Sequence, residues 1–214
     1  MSSSGTKGLI LVGGGGHAAV VAECAHLLGV GVTGVFDDDS GARVLHGAPG
    51  AARRAYLGGI DAFVSSAPSG WFLAIGDLGA RARVLGLYSE SAYGPMIHPS
   101  AVVSPDVEIE EGVFVGPGAI VHTGAKIRAH AILNTGAIVE HDCVIGRNVH
   151  VAPGCVLGGG ACVGEHTLVG IGTTVLPGIA IGRGATVGAG SVVIRDVEDG
   201  AVVVGNPARV MKRV

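Results

Sequence analysis

Charge is scarce in this 214-residue chain: Asp, Glu, Lys and Arg make up 14% of it, and the formal net charge is −3. A chain so sparsely charged and slightly acidic offers no broad cationic surface, which argues against a nucleic-acid partner. Apolar residues reach 48%, yet they fall in runs of four to six. Such runs are far short of the roughly 20 residues that a spanning helix needs, so no membrane segment is expected. Met1–Lys7 is a short polar leader and Gly8–Val12 enters the fold directly, so no signal peptide is expected and the location reads as cytoplasmic. The four cysteines, Cys24, Cys143, Cys155 and Cys162, lack CxxC or zinc-ligand spacing, which speaks against a disulfide framework and against a metal site. Glycine is abundant, with 39 residues, but no G-X-Y period accompanies it. The glycines are expected to serve turns.

A different period is present. From Ile97 to Val193, seventeen positions spaced six apart are all Ile, Val or Leu, and four residues after each lies a second column of mostly small or β-branched residues, Ala101 through Val197. Six fits neither an amphipathic helix nor a lone alternating strand, and fixed-period similarity means a solenoid. Each hexad reads as a short strand and a corner, with the aliphatic residue pointing inward. Three hexads close a triangular coil, giving about 5.7 coils. Cys143 and Cys155 fall in the small inward column, where cysteine acts as a compact hydrophobe. Corner residues Gly116, Gly146, Asn148, Gly164 and Gly182 are expected to adopt positive φ. His122, His130 and His166 fall on outward positions and read as exposed polar residues. A flat solenoid can also be an ice-binding scaffold, but the outward positions here are mixed and carry no Thr ladder.

Before Met96 the hexad period vanishes. Leu9–Val12 reads as a strand, Gly13–Gly16 as a glycine loop and His17–Leu28 as a helix; Thr33–Phe36 is a second strand ending in Asp37, Asp38 and Asp39. Ala62–Ser65 and Phe72–Ile75 read as further strands, and Leu78–Leu87 as a helix. This order predicts a small Rossmann-like parallel α/β sheet, with ligands at the carboxyl ends of its strands. Gly13, Gly15 and Ala18 fit a dinucleotide fingerprint, with Asp37 at about ribose distance. The domain has room for roughly one mononucleotide half, which favours a nucleoside diphosphate held by the loop and the helix N-terminus. The expected division is an α/β domain over 1–95, a β-helix over 96–198 and a tail over 199–214.

The hexad pattern resembles the left-handed parallel β-helix of the hexapeptide acyltransferases. GGGGH after the first strand, FDDD after the second, AIGD later and the uninterrupted hexads together resemble the nucleotide-sugar acyltransferases of the bacterial sialic-acid and bacillosamine type, across essentially the whole chain. The sharpest segment is NTGAIVEHDCVIG, Asn134–Gly146. The resemblance implies a general base at His141 with Asp142 as its acidic neighbour. It also implies a nucleotide-sugar site at Gly15, Gly16, His17, Asp37, Asp38, Ala74 and Asp77, and an acetyl-CoA site at His150, Ile171 and Ala189. A homotrimer is implied too, with acetyl-CoA between neighbouring β-helices and a GDP-linked 4-amino-4,6-dideoxy sugar as the closest substrate match. The chain departs from the family in having GGGGH where many relatives have GASGH, and Asp rather than Glu after the histidine.

The chemistry is consistent with this implication. A sugar amine must lose a proton to attack a thioester, and histidine suits that task. Direct attack through an oxyanion held by a backbone N–H is expected. A covalent route would need an activated nucleophile, and the nearby Cys143 points into the prism. Two other activities stay open: O-acetylation of sialic acid and N-acetylation of a UDP-linked 4-amino sugar. A non-catalytic nucleotide-sugar-binding scaffold also stays open, disfavoured by the His141–Asp142 pair. Arg209, Lys212 and Arg213 in GNPARVMKRV meet CoA phosphates or cap the last coil.

Overall fold

The computed structural model describes residues 8–46, 53–66, 68–87 and 92–213. The polar leader Met1–Lys7 lies outside the described residues. Contacts divide the chain into two compact units, Met1–Met96 and Ile97–Val214.

In the first unit the elements run β1 (Leu9–Val12), α1 (Gly16–Leu27), β2 (Val32–Phe36), α2 (Arg43–His46), β3 (Ala55–Gly58), α3 (Ile60–Ser66), β4 (Trp71–Leu73) and α4 (Leu78–Leu87). The strands form one sheet in the order β3-β2-β1-β4, all pairs parallel. Leu9, Leu11 and Val12 of β1 are fully buried, as a central strand covered on both faces requires. Phe63 of α3 packs edge-on against Phe36 of β2 and Trp71 of β4, with ring centroids 5.6 and 5.3 Å away.

Three elements differ from expectation: the short helix α2 and the strand β3 are additional, and α3 replaces a strand. Ala62–Ser65 is part of helix α3, not a strand. A four-residue apolar run is ambiguous between the two states. The Asp38 carboxylate decides it by accepting the Ile60 N–H at 2.9 Å and capping the helix start. The strand of that region is β3, an exposed edge strand that among the described residues pairs only with β2.

The second unit is a parallel β-helix. Seventeen two-residue strands, β5 (Met96–Ile97) through β21 (Val192–Val193), alternate with turns and stack into three sheets. Val103 pairs with Val121, Val121 with Val139 and Ile127 with Ile145, so each coil takes three hexads. From Val115 to Val193 every inward aliphatic residue is at most 2% exposed, whereas Ile97, Val103 and Ile109 of the first coil are partly open. The polar members of the small column are buried and satisfied: Thr167 donates to the Gly182 carbonyl at 2.7 Å, and Ser191 to that of Gly188 at 2.7 Å. Cys143 and Cys155 are fully buried and donate to the carbonyls of Gly158 and Gly170.

The corner glycines behave differently from the expectation. Of the five named positions only Asn148 has positive φ, 54°. Gly116, Gly146, Gly164 and Gly182 follow the inward residue directly and are needed for space: a β-carbon on Gly146 would lie 2.6 Å from the Glu165 nitrogen of the next coil. The left-handed residue comes two positions later, and is usually glycine, as at Gly118 and Gly136. Four non-glycine residues occupy it: His130, Asp142, Asn148 and His166. The reading of His130 as exposed is corrected, since it is 3% exposed. Its left-handed backbone turns the ring along the corner onto Gly112, where an added β-carbon would fall on the imidazole. Asn148, also buried, contacts His166 Nδ1 at 3.0 Å. His122 is half-exposed, 3.9 Å from Glu140.

The tail is not separate from the solenoid. β22 (Ala201–Val204) pairs in parallel with β20 (Thr186–Val187), and β23 (Arg209–Arg213) returns antiparallel to β22. The turn between them contains Gly205 and a cis Asn206–Pro207 bond. Arg209 donates to the Ala208 carbonyl, and Ala208 packs on the prism core. Together β22 and β23 extend the eight-stranded sheet beyond β20.

Candidate active site

The corner after β12 (Ile138–Val139) carries His141 and Asp142. Asp142 has φ 60°, a conformation that most side chains adopt only at a cost of about 1–2 kcal/mol. This geometry lets its Oδ2 meet His141 Nδ1 at 2.8 Å. A carboxylate only accepts, so the contact places the proton on Nδ1 and leaves the Nε2 lone pair of the neutral ring available. Both side chains are open, 59% and 72% exposed. The ring lies on the backbone of the next coil, because a β-carbon on Gly159 would sit 2.5 Å from Nε2. Asp142 rests likewise on the preceding coil, where a β-carbon on Gly124 would sit 2.5 Å from its Oδ1.

Gly159 is not among the residues expected at the site, although the sequence carries a signal for it. It is the only glycine two residues after an inward aliphatic position anywhere in the seventeen hexads. Its φ is not in the left-handed region, so it is there for space. Its N–H has no acceptor among the described residues. A proton acceptor and an uncommitted backbone donor therefore stand side by side on adjacent coils.

The residues expected at the acetyl-CoA site lie elsewhere on the β-helix. His150 is on β14 (His150–Val151), its Nε2 3.1 Å from Asn134 Nδ2. Ile171, 61% exposed, and Ala189 stack on one corner, linked by the Gly190 N–H donating to the Ile171 carbonyl at 2.7 Å. That corner and the His141 corner are the two edges of the six-stranded sheet. One chain alone does not bring Ile171 and Ala189 to His141.

In the α/β unit, β1 and β4 are adjacent although β2 and β3 intervene in sequence, so the topological switch point lies between their carboxyl ends. Gly13–Gly16 leaves β1 there, and Ala74–Asp77 leaves β4. Gly13 must be glycine: its φ is 103°, and a β-carbon would reach within 2.6 Å of Ile75. A β-carbon on Gly76 would be 3.4 Å from His17, so these two loops touch. Gly15 and Gly16 face open space at the start of the twelve-residue α1, where the helix N-terminus favours an anion.

The carboxylates here are heavily engaged with the backbone. Asp37 accepts the Gly14 N–H at 2.6 Å and the Asp39 N–H at 2.8 Å, Asp38 caps α3, and Asp77 caps α4 by accepting the Ala80 N–H at 2.7 Å. Ala74 is buried. Arg81, not anticipated from sequence, is 1% exposed and donates to the Ile75 carbonyl; burial pushes its guanidinium down to about 9. No group of three or more His, Cys, Asp or Glu side chains among the described residues is arranged to hold a metal ion. Burial raises the Cys143 thiol above its ordinary value, the opposite of what a nucleophile needs.

Two family models match the chain: the PglD N-terminal domain over residues 8–86 and the bacterial transferase hexapeptide of six repeats over residues 124–159. No curated protein sequence matches it. Among solved structures, PerB from Caulobacter crescentus in complex with CoA and GDP-perosamine is 37% identical over 99% of this chain and 100% of that chain, with a TM-score of 0.84. The H141N mutant of perosamine N-acetyltransferase from the same organism, also with CoA and GDP-perosamine, gives 37% identity over 99% and 100%, with a TM-score of 0.85. The acetyltransferase domain of PglB from Neisseria gonorrhoeae, in complex with acetyl coenzyme A, gives 31% over 97% and 100%, with a TM-score of 0.83. With its α/β domain followed by a left-handed parallel β-helix, the chain belongs to the hexapeptide-repeat acyltransferases of the sialic-acid and bacillosamine type and is an acyltransferase.

Proposed function

We propose that the protein transfers the acetyl group of acetyl-CoA to the 4-amino group of a nucleotide-linked dideoxy amino sugar, with GDP-perosamine as the substrate. The observation that carries this reading is the His141 Nδ1 to Asp142 Oδ2 contact at 2.8 Å with Nε2 over Gly159. The likeness to the Caulobacter and Neisseria structures supplies the acetyl donor and the sugar class.

In the proposed reaction His141 Nε2 takes the amine proton as nitrogen attacks the thioester carbonyl. Asp142 holds the ring in the tautomer that makes this possible and stabilises the imidazolium that forms. The Gly159 N–H receives the oxyanion. Collapse of the tetrahedral intermediate expels CoA as its thiolate, which the imidazolium can protonate. Gly15, Gly16 and His17 at the α1 N-terminus would hold the diphosphate, and Asp37, Asp38, Ala74 and Asp77 would shape the nucleoside end. His150, Ile171 and Ala189 would line the acetyl-CoA groove. Because Ile171 and Ala189 stand on a different prism edge from His141, a groove containing all of them requires a neighbouring subunit, and a homotrimer is proposed on that ground. No helix among the described residues is long and apolar enough to cross a membrane. The reaction is proposed to run in the cytoplasm.

The test is release of free thiol from acetyl-CoA in the presence of GDP-, UDP- and dTDP-linked 4-amino sugars. Turnover fastest with the GDP-linked perosamine is the expected outcome. Preference for a UDP-linked sugar would correct the nucleotide, and acetylation of free sialic acid at oxygen with no activity on any amine would overturn the reading.

A further inference from the structure

One corner of the prism carries Asp106, Gly124 and Asp142 in successive coils, at the same place in their hexads. Asp106 Oδ2 accepts from the Thr123 hydroxyl at 2.5 Å and from the Gly124 N–H at 3.1 Å. The peptide that it grips bears on the reactive pair in two ways. The Thr123 carbonyl accepts the Asp142 N–H at 3.1 Å, and the bare α-carbon of Gly124 is the surface against which the Asp142 carboxylate lies.

We propose that Asp106 and Thr123 are positioning residues that act on His141 through Asp142, by fixing the Thr123–Gly124 peptide on which the left-handed Asp142 turn is built. The inference rests on the acetyl-transfer reading, in which His141 and Asp142 act as a pair. Its physical basis is that Asp142 occupies an unfavourable backbone conformation, and such a residue keeps its geometry only where its surroundings hold it. The Asp142 N–H and carboxylate both lean on one peptide, so a shift of that peptide moves the carboxylate relative to His141 Nδ1. Hydrogen bonding, from Thr123 first, holds the Asp106 carboxyl below its ordinary range. Asp106 therefore remains an ionised acceptor through neutral pH. It is exposed and distant in sequence, so nothing in the hexad pattern marks it.

The test is a double-mutant cycle in steady-state kinetics of the whole enzyme, with both substrates saturating. Asp106→Ala and Thr123→Val, the second nearly isosteric and lacking only the hydroxyl, should each lower kcat about five- to tenfold while both KM values stay within about twofold. Asp106→Asn keeps an acceptor oxygen and should recover most of the loss. In an Asp142→Ala background Asp106→Ala should cost nothing further, because the residue through which it acts is gone. A full loss persisting in that background, or normal kcat in both Asp106→Ala and Thr123→Val, would overturn the proposal while the pair stands. Normal kcat in Asp142→Ala itself would sink the pair, and the positioning role with it.

Discussion

The two units encode their sites in opposite ways. In the β-helix seventeen hexads repeat one solution, so any residue that breaks the repeat stands out against its neighbours. Asp142 is one of four non-glycine residues in left-handed corners, the one whose side chain meets an adjacent histidine, and Gly159 is a glycine where no other hexad has one. The α/β unit has no such background. Its aspartates are already at work in the fold: Asp37, Asp38 and Asp77, the carboxylates proposed for the nucleotide sugar, each accept backbone N–H bonds that build the loops. A repeat makes departures readable, whereas a compact unit hides binding residues among structural ones.

Matched glycine substitutions sharpen that contrast most. Gly159→Ala would put a methyl group against His141 Nε2. Displacing the ring by about 1 Å should lower kcat by roughly 10²-fold. Gly15→Ala and Gly16→Ala meet open space and should fold normally, raising KM for the nucleotide sugar with little change in kcat. Steady-state kinetics varying each substrate separates the two classes; a kcat loss at Gly15 as large as at Gly159 would erase the contrast.

Asp38→Ala probes the dual use within the α/β unit. It should raise KM for the nucleotide sugar about tenfold more than KM for acetyl-CoA. Loss of the α3 cap should also destabilise the fold by about 0.5–2 kcal/mol in denaturant unfolding. Destabilisation without any KM effect would assign Asp38 to the fold alone.

A departure from the repeat should matter and a conforming residue should not. Cys143 conforms, buried in the small column, and Cys143→Ala should keep kcat within about twofold because no covalent acyl-enzyme is involved. Loss of activity with normal melting would contradict this. Under native conditions Cys162, the exposed cysteine, should react with a thiol reagent well before Cys24, Cys143 and Cys155.

The smallest effects concern pH and stability. Asp106 and Glu110 have carboxyls depressed by hydrogen bonds, from Thr123 and from the Ala129 N–H respectively. Their stabilisation is present above the ordinary carboxylate values of 3.8 and 4.5 and is lost as pH falls through the depressed ones. Melting temperature should therefore decline in acid, and Asp106→Asn should flatten part of that decline. Burial raises Cys24 from 9.0 to about 11, so its contribution is complete below pH 9 and disappears as pH climbs through about 11. Cys24→Ala should remove that alkaline component.

The same contrast explains what the sequence revealed. Every hexad became a strand because its backbone pairs in register with that of a neighbouring coil, a condition written into the period itself. The left-handed corners were misplaced because glycine recurs at two positions of the hexad for two reasons, close approach at Gly146 and conformation at Gly118, and composition does not separate them. His130 read as exposed because the period gives a backbone position, not the direction of a side chain on a left-handed corner. In the α/β unit the glycine loop and α4 were recoverable from local pattern. α3 was not, since its start depends on a carboxylate 22 residues earlier. Likewise Ile171 and Ala189 share a corner by sequence spacing, but nothing in spacing shows how they would meet His141.

On the acetyl-transfer reading His141 performs the chemistry and the α/β unit only binds. The most direct test is the single-turnover rate of His141→Asn with both substrates saturating, measured beside the equilibrium affinity of the same variant for the nucleotide sugar. The expected rate is lower by about 10²- to 10⁴-fold with affinity unchanged. A near-normal rate, or a loss traced wholly to weakened nucleotide-sugar binding, would contradict it.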